Sequence, residues 1–212
     1  MAETALVHIV DDDASVRDSL SILLESAGFV VRAYDSAPAF LEAASDRQAG
    51  CVLTDVQMPE LNGLELQRRL AERGIRLPVI VMTGHADVPI AVEALKAGAS
   101  DFLEKPFDDE HLITAVTAAI AASQRVHDEA AAVADIAARL ATLTPREREV
   151  LEGLVAGHPN KTIAYDLGSS PRTVEVHRAR VMEKMGARSL PELVRMTIAV
   201  DRAARIGKAT ER

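Results

Sequence analysis

Acidic, hydroxyl and lysine side chains stand directly after several short apolar runs of this 212-residue sequence. The set comprises Asp11, Asp12, Asp13, Asp55, Thr83 and Lys105. Clustered carboxylates repel one another, and proteins tolerate them chiefly where they hold a hard cation such as Mg²⁺. A hydroxyl and an ammonium beside them would bind phosphoryl oxygens, while one carboxylate acts as the nucleophile. These residue types predict a site that accepts a phosphoryl group, provided that the fold brings them together.

The apolar runs before these residues are typical of strands in a parallel sheet. Two of them, LVHIV (6–10) and VIVM (79–82), are nearly continuous, as expected for strands covered on both faces. We predict strands at Leu6–Val10, Phe29–Tyr34, Cys51–Asp55, Pro78–Thr83 and Asp101–Glu104, with helices at Ala14–Ala27, Pro38–Ala44, Asn62–Arg73 and Val88–Ala97. The alternation predicts a doubly wound α/β fold with five parallel strands, which binds ligands at the carboxyl ends of its strands.

The second half of the sequence is typical of helices. Residues 110–140 contain no Gly or Pro, and 11 of them are Ala, which predicts a long helix. A capping-box pattern at Thr144, Pro145 and Glu147 begins an all-helical segment, with later helices at Lys161–Leu167, Pro171–Met185 and from about Ser189 to Ala204. We expect a sheet domain at 1–123, a helical linker at 124–142 and a four-helix domain at 143–212.

Composition excludes several classes of protein. Aromatic residues make up 3% of the chain, which is too few for a platform that stacks single-stranded nucleic acid. The lone Cys51 allows neither an internal disulfide nor a cysteine zinc site, and we expect it in the core. We expect His85, His111, His158 and His177 in loops or on the surface. The N-terminus shows no secretory pattern and no apolar run is long enough to span a bilayer, so we expect a cytoplasmic protein.

The net charge of −8 is unevenly distributed. Residues 1–125 carry 20 acidic and 10 basic side chains, whereas residues 126–212 carry 12 and 14. A basic patch on an acidic protein indicates a surface that contacts phosphates.

The motifs HIVDDD, TDVQMPELNG, VMTGHAD and DFLEKPF resemble the receiver domain of two-component response regulators, across residues 5–123. The resemblance implies a CheY-like fold in which Asp55 accepts a phosphoryl group from a sensor histidine kinase and Lys105 contacts that group. It also implies that Thr83 and Phe102 form a switch pair. The implied Mg²⁺ ligands are Asp11, Asp12, Asp55 and the backbone carbonyl of Gln57.

Some details of the receiver pattern concern single residues. Asp13 reads better as the cap of the first helix than as a ligand, and the peptide bond between Lys105 and Pro106 is expected to be cis. Gly84 departs from the Ala or Ser common after the switch threonine.

An aspartate-nucleophile phosphatase is the rival enzyme class, but its D-x-D-x-T pattern fails here because Ser15 stands at the threonine position.

The segment LTPREREVLEGLVAGHPNKTIAYDLGSSPRTVEVHRARVMEKMGARS resembles the LuxR-type helix-turn-helix of the NarL/FixJ family, over about residues 143–205. In that fold, Lys161–Leu167 is the supporting helix and Pro171–Met185 is the recognition helix. The expected DNA contacts are Lys161, Arg172, Thr173, Glu175, Val176, Arg178, Arg180 and Lys184, of which Lys161 and Lys184 suit phosphates. A sigma-factor-like domain is the nearest confusable relative, and a helical tail that binds another protein is the remaining alternative.

The two resemblances imply a transcription regulator that phosphorylation switches on. Phosphorylation of Asp55 is expected to shift a face formed by Val88, Val92, Lys96 and Asp101, through which two molecules pair and bind double-stranded promoter DNA. The FixJ branch of the family further implies a FixL-like sensor kinase, RNA polymerase as a partner, and control of nitrogen-fixation or microaerobic genes. Beyond transfer to and from its own aspartate, no enzymatic activity is expected.

Overall fold

Five parallel strands form the sheet of the N-terminal half in this computed structural model, which describes residues 6–45, 49–84 and 88–210. The strands are β1 (Leu6–Val10), β2 (Val30–Tyr34), β3 (Gly50–Asp55), β4 (Val79–Thr83) and β5 (Asp101–Glu104), in the order β2-β1-β3-β4-β5. Each neighbouring pair is parallel, which confirms the predicted doubly wound sheet. The predicted β2 began one residue early, because the Phe29 N–H bonds the Leu24 carbonyl and so belongs to the end of the preceding helix.

Nine helices lie in the described part of the chain. Five accompany the sheet: α1 (Ala14–Ser26), α2 (Ala37–Ala43), α3 (Gly63–Glu72), α4 (Val88–Lys96) and the long α5 (Asp109–Ala141). Four follow it: α6 (Pro145–Val155), α7 (Asn160–Asp166), α8 (Pro171–Met185) and α9 (Leu190–Thr210). Asp13 caps α1 by accepting the Ser15 N–H at 2.8 Å, as the sequence predicted. None of the described helices is long and apolar enough to cross a bilayer.

A separate apolar core covers each face of the sheet. One core joins the sheet to α2, α3 and α4 through residues such as Phe40, Leu66 and Ala94. The other joins it to α1 and the first part of α5 through residues such as Leu24 and Leu112. Since β1 and β4 contribute to both cores, all five of their residues are buried. Cys51 lies fully buried in the second core, and burial raises the pKa of its thiol to about 12.

The polar side chain of Ser123 ties α5 to the sheet. Its Oγ accepts the Gly50 N–H at 3.2 Å, and the serine is buried. Gly50 has no room for a side chain, because a Cβ there would lie 2.2 Å from the Leu6 carbonyl oxygen. This contact fixes the N-terminal end of β3, and therefore the strand whose other end carries Asp55.

His8 is a buried histidine in the middle of β1. Its ring centroid lies 5.1 Å from that of Phe40 and 5.8 Å from that of Tyr34. In the described part of the chain, Nδ1 of His8 has no hydrogen-bond partner. Burial, assisted by the charge of Arg32, lowers the pKa of His8 from 6.5 to about 4, so the ring is neutral in the folded protein at pH 7.

This histidine makes the stability of the sheet domain fall with acidity. Below pH 6.5 His8 becomes protonated in the unfolded chain, whereas in the folded protein it stays neutral until about pH 4. The free energy of unfolding therefore decreases as the pH falls across this window. Between about pH 7.5 and about pH 5.5 the loss is expected to be about 1 kcal/mol. Urea unfolding of the wild type and of His8→Phe at both pH values measures it. An equal pH dependence of the two proteins would contradict the assignment.

The four C-terminal helices have a core of their own. It includes Val150, Leu154, Ile163, Val174 and Met185. The capping box predicted for α6 is confirmed, since Thr144 and Glu147 exchange both hydrogen bonds. The chain divides into two compact units, Met1–His127 and Asp128–Arg212, so the described end of α5 belongs to the helical unit.

Candidate functional site

Polar side chains from four adjacent strands meet at one edge of the sheet. Asp11 follows β1, Asp55 ends β3, Thr83 ends β4 and Lys105 follows β5. Because all the strands are parallel, these positions share the carboxyl-end edge, as predicted. Asp11 and Asp55 are largely buried, with 2% and 7% of their surface exposed, so their charges require nearby partners.

Lys105 provides that partner for both carboxylates. Its Nζ donates to Oδ1 of Asp55 at 2.8 Å and to Oδ2 of Asp11 at 3.0 Å. Burial alone would lower the pKa of Lys105, but the hydrogen bonds and charges of the two aspartates outweigh burial and raise it. The ammonium therefore stays charged and cancels much of the repulsion between the carboxylates. The peptide bond that follows, Lys105–Pro106, is cis as expected.

Every oxygen of Asp11 has a donor from the protein. Oδ1 accepts the Asp13 N–H at 2.9 Å, Oδ2 accepts Lys105, and the backbone carbonyl accepts Nη1 of Arg17 at 2.8 Å. The sequence analysis missed Arg17. A basic residue six positions after Asp11 was the available signal, since it lies one helical turn after the cap Asp13 and so beside the loop that the acidic residues form.

The site is suited to a cation. Two carboxylate oxygens from different strands already lie within 3.0 Å of one positively charged nitrogen, which shows that the pocket stabilises a positive charge between Asp11 and Asp55. Asp12 is exposed at the rim, and no cluster of three acidic, histidine or cysteine side chains is assembled among the residues that the structure describes. His85 lies outside those residues, and His111 and His158 are exposed as expected. His177, expected in a loop or on the surface, is half-buried on α8.

The second oxygen of Asp55 is oriented by the backbone. The Gln57 N–H donates to Oδ2 of Asp55 at 2.6 Å. Behind this loop, Gly63 starts α3 so close to β3 that a Cβ would lie 2.3 Å from the Asp55 carbonyl oxygen. The aspartate is thus held by Gln57 and Lys105 at its carboxylate and by α3 at its backbone.

Thr83 and Phe102 lie on neighbouring strands at this end of the sheet. Thr83 is buried, and its carbonyl accepts the Lys105 N–H at 2.7 Å. Phe102 is half-buried and packs against the core that includes α3 and α4. The predicted switch between these two residues stays a prediction.

The face predicted for pairing lies on α4 and β5. Val92 is 42% exposed, Lys96 is exposed and Asp101 is half-buried. Val88 begins α4, and its side chain lies outside the described part of the structure. The sequence analysis missed Leu95, a second exposed apolar residue of this helix, at 53%.

The predicted DNA contacts cluster on α8 and the start of α7. One side of α8 is buried through Val174, Val181 and Met185. The exposed positions are Lys161, Arg172, Thr173, Glu175, Val176 and Arg180, whereas Arg178 is half-buried. Lys161, Glu175 and Arg178 line one groove. The Thr173 hydroxyl lies 2.8 Å from the Ser170 hydroxyl, so it is engaged at the cap of α8.

Lys184, one of the two predicted phosphate contacts, also forms an ion pair inside the helical unit. Its Nζ donates to Oε2 of Glu147 at 2.6 Å and to the Thr142 carbonyl at 3.2 Å. The hydrogen bond from Lys184 to Glu147, together with that from the Thr144 backbone N–H, lowers the pKa of Glu147 to about 2. Lys184 is itself exposed, so its phosphate contact stays a prediction beside this ion pair. The basic residues of the sequence do not indicate that Lys184 has Glu147 as a partner.

Comparisons with known proteins agree with both halves of the sequence analysis. Residues 7–117 match the family model of the response regulator receiver domain, and residues 141–197 match that of bacterial regulatory proteins of the luxR family. The transcriptional regulatory protein FixJ of Azorhizobium caulinodans is 57% identical over 198 residues, which cover 93% of this chain and 94% of the relative.

Two solved structures extend over nearly the whole chain. The response regulator StyR is 39% identical with a TM-score of 0.83, covering 92% of this chain and 98% of that one. Full-length FixJ from B. japonicum is 50% identical with a TM-score of 0.58, covering 95% and 99%.

Proposed function

The chain belongs to the FixJ family of two-component response regulators, and from this membership we propose how its residues carry out phosphorylation-dependent regulation of transcription. The observation that carries the proposal is the pair of buried carboxylates, Asp11 and Asp55, that share the Lys105 ammonium at the edge of the sheet. A nucleophilic carboxylate beside a fixed cation is suited to receive a negatively charged phosphoryl group.

Asp55 is the proposed phosphoacceptor. One of its carboxylate oxygens forms the new bond to phosphorus while the bond from phosphorus to a histidine nitrogen of the sensor kinase breaks, and the imidazole keeps that electron pair. Lys105 then neutralises the phosphoryl oxygens, and Thr83 donates a hydrogen bond to one of them. Water later cleaves the acyl phosphate, which resets the regulator. In this reaction the protein is its own substrate and does not turn over an external one.

Receiver domains generally bind Mg²⁺ at the acidic pocket, and the residues present here fit that ion. We propose Asp11, Asp12, Asp55 and the Gln57 carbonyl as its ligands, since hard oxygen donors are what Mg²⁺ prefers. When bound, the ion neutralises charge that develops on the transferred phosphoryl group. Asp13 and Arg17 keep the Asp11 loop in place through their bonds to its Oδ1 and carbonyl.

Phosphorylation is proposed to act through α4 and β5. Thr83 moves towards the phosphoryl oxygen and Phe102 turns inward, which shifts the surface formed by Val88, Val92, Lys96 and Asp101. Two phosphorylated molecules then pair through this surface. The exposed Val92 and Leu95 support the proposal, because apolar side chains in such positions gain from being covered.

The helical unit is proposed to bind promoter DNA through α8. The proposed DNA contacts on α8 and α7 share exposed or half-buried positions. Those proposed near bases are Arg172, Thr173, Glu175, Val176, Arg178 and Arg180, while Lys161 and Lys184 contact phosphates. Pairing raises the local concentration of a second unit at a two-fold site, so two weak half-sites become one operator. The chromosome is cytoplasmic, and we propose that the protein works there with RNA polymerase.

We propose the kinase and the target genes by analogy with the FixJ proteins that this chain resembles. A FixL-like sensor kinase is the proposed phosphodonor, and nitrogen-fixation or microaerobic genes are the proposed targets. These assignments belong to the proposal.

Solution mass, measured by light scattering, tests the proposed switch. With Mg²⁺ and acetyl phosphate, we expect the full-length protein to change from a monomer to a dimer and to bind a palindromic duplex selected from a random pool. Each sample is analysed in parallel for covalently bound phosphate. If the protein is phosphorylated but its mass is unchanged, the proposed pairing is wrong. If it acquires no phosphate, the proposed receiver function is wrong.

A further inference from the structure

The last two turns of α5 belong structurally to the helical unit. Ile136 and Leu140 pack against its core, beside residues of α6 and α8. Both residues precede position 141, where the match to the luxR family begins. The helical unit of this protein therefore begins before the residues that match the luxR family model.

Arg139 connects this segment to the C-terminal end of α8. Its Nη1 donates to the Met185 carbonyl at 3.0 Å, and its Nη2 lies 2.8 Å from Oδ2 of Asp135 on the same helix. The Met185 carbonyl is one of the terminal acceptors that a helix cannot satisfy itself, and a cation there also complements the helix dipole. Arg139 thus caps α8 from another helix.

Gly186 provides the space for this contact. It adopts a left-handed conformation with φ of 67°, and a Cβ at this position would lie 2.5 Å from Nη1 of Arg139. The glycine therefore meets two requirements at once, since it ends α8 and lets the guanidinium reach the Met185 carbonyl.

Two further hydrogen bonds hold the same junction. Arg148 of α6 donates to the Leu140 carbonyl at 2.9 Å, and Lys184 of α8 donates to the Thr142 carbonyl at 3.2 Å. The chain from Arg139 to Thr142 is consequently bonded to both α6 and α8.

We propose that Arg139 is a positioning residue for DNA recognition, which sets the angle at which α8 presents its base-contacting residues. The inference rests on the proposed role of α8 as the recognition helix. With 15 residues, α8 is about 22 Å long, so a tilt of about 5° at the Met185 end moves the other end by about 2 Å. Such a displacement disturbs hydrogen bonds to bases, whose geometry is narrow, more than it disturbs contacts to phosphates.

The test compares Arg139→Met with Arg125→Met in the full-length phosphorylated protein. Arg125 is the matched control because it lies on the same helix, carries the same charge and donates to the Ala121 carbonyl of its own helix. Affinity is measured for a duplex that the wild-type protein selects from a random pool and for a mixed-sequence duplex. Arg139→Met should bind the selected duplex about tenfold more weakly, the effect of losing about one base contact when α8 shifts, and the mixed-sequence duplex within about twofold of wild type. Arg125→Met should bind both duplexes with the affinity of the wild type.

The remaining outcomes overturn the inference in distinguishable ways. Equal losses on both duplexes would show that Arg139 only stabilises the helical unit, and no loss on either would show that it has no role in binding. If the wild type selects no duplex, the proposed DNA recognition fails and this inference fails with it. Should Arg139→Met not fold, Arg139→Lys keeps the charge but loses the planar group that bonds Asp135 and the Met185 carbonyl together. This variant should bind the selected duplex about threefold more weakly, and wild-type affinity for that duplex would overturn the proposal.

Discussion

Replacing Asp55 with Asn is expected to lower phosphoryl incorporation from acetyl phosphate by at least about a thousandfold, because the amide has no nucleophilic carboxylate oxygen. The change also removes one acceptor. Asp55 accepts from Lys105 at one oxygen and from the Gln57 N–H at the other, and the single oxygen of Asn can serve only one of them. Intact-protein mass spectrometry after incubation with Mg²⁺ and acetyl phosphate measures the covalent phosphate, and light scattering of the same samples should show no dimer.

Asp13→Asn is the matched control for this experiment. Asp13 also lies at the acidic edge, but it is exposed and its side chain caps α1 through Ser15. Asn caps helices as well as Asp does, so this variant should be phosphorylated like the wild type. Steady hydrolysis of a phosphomonoester by the Asp55→Asn protein would contradict the proposal and favour an aspartate-nucleophile phosphatase instead.

Gly63→Ala is expected to destabilise the sheet domain by about 2 kcal/mol, although Ala is the better residue for a helix. A methyl group at this position would lie 2.3 Å from the Asp55 carbonyl oxygen and 3.1 Å from Cγ2 of Thr54, so α3 must move away from β3. Both contacts are to β3, and the backbone atom cannot rotate aside. The gain in helix propensity, at most about 1 kcal/mol, is smaller than the cost of the overlap.

Urea unfolding of Gly63→Ala measures this loss, and Gly84→Ala is its control. Gly84 follows Thr83 at the same edge, but a Cβ there meets no atom within 4 Å among the residues that the structure describes. We expect Gly84→Ala to change the free energy of unfolding by less than about 0.5 kcal/mol. Because Gly63 supports the backbone of the phosphoacceptor, Gly63→Ala should also slow phosphorylation. A Gly63→Ala protein as stable as the wild type would contradict the close approach of α3 and β3.

The sheet and its acidic edge were predictable because their signals are local in the sequence. A strand in a doubly wound fold is marked by its apolar run, and the position after the run is fixed by topology. This reasoning identified Asp11, Asp55 and Lys105, and the structure brings their side chains within hydrogen-bonding distance. The capping box at Thr144 was predictable for the same reason, since its two residues are three positions apart.

The partners of long basic side chains could not be predicted from the sequence, because these side chains bond residues far away in the chain. Lys184 reaches Glu147, 37 positions earlier, and Arg139 reaches Met185, 46 positions later. The sequence analysis predicted only a phosphate contact for Lys184 and made no prediction for Arg139. Only the packing of α5, α6 and α8 determines that one neutralises a buried carboxylate and the other caps a helix. Asp11 and Asp12 show that neighbours of the same type can also differ. Both stand in the same acidic run, and yet the side chain of Asp11 is buried whereas that of Asp12 is exposed.

The burial of Cys51 makes this regulator convenient for site-specific labelling. It is the single cysteine of the chain, and inside the sheet domain its thiol stays protonated and out of reach of alkylating reagents. A cysteine introduced on the surface of α4 or α8 would therefore be the one that reacts with a maleimide dye under native conditions. Since the chain also contains no Trp, the signal of a dye on either domain would not be mixed with tryptophan fluorescence.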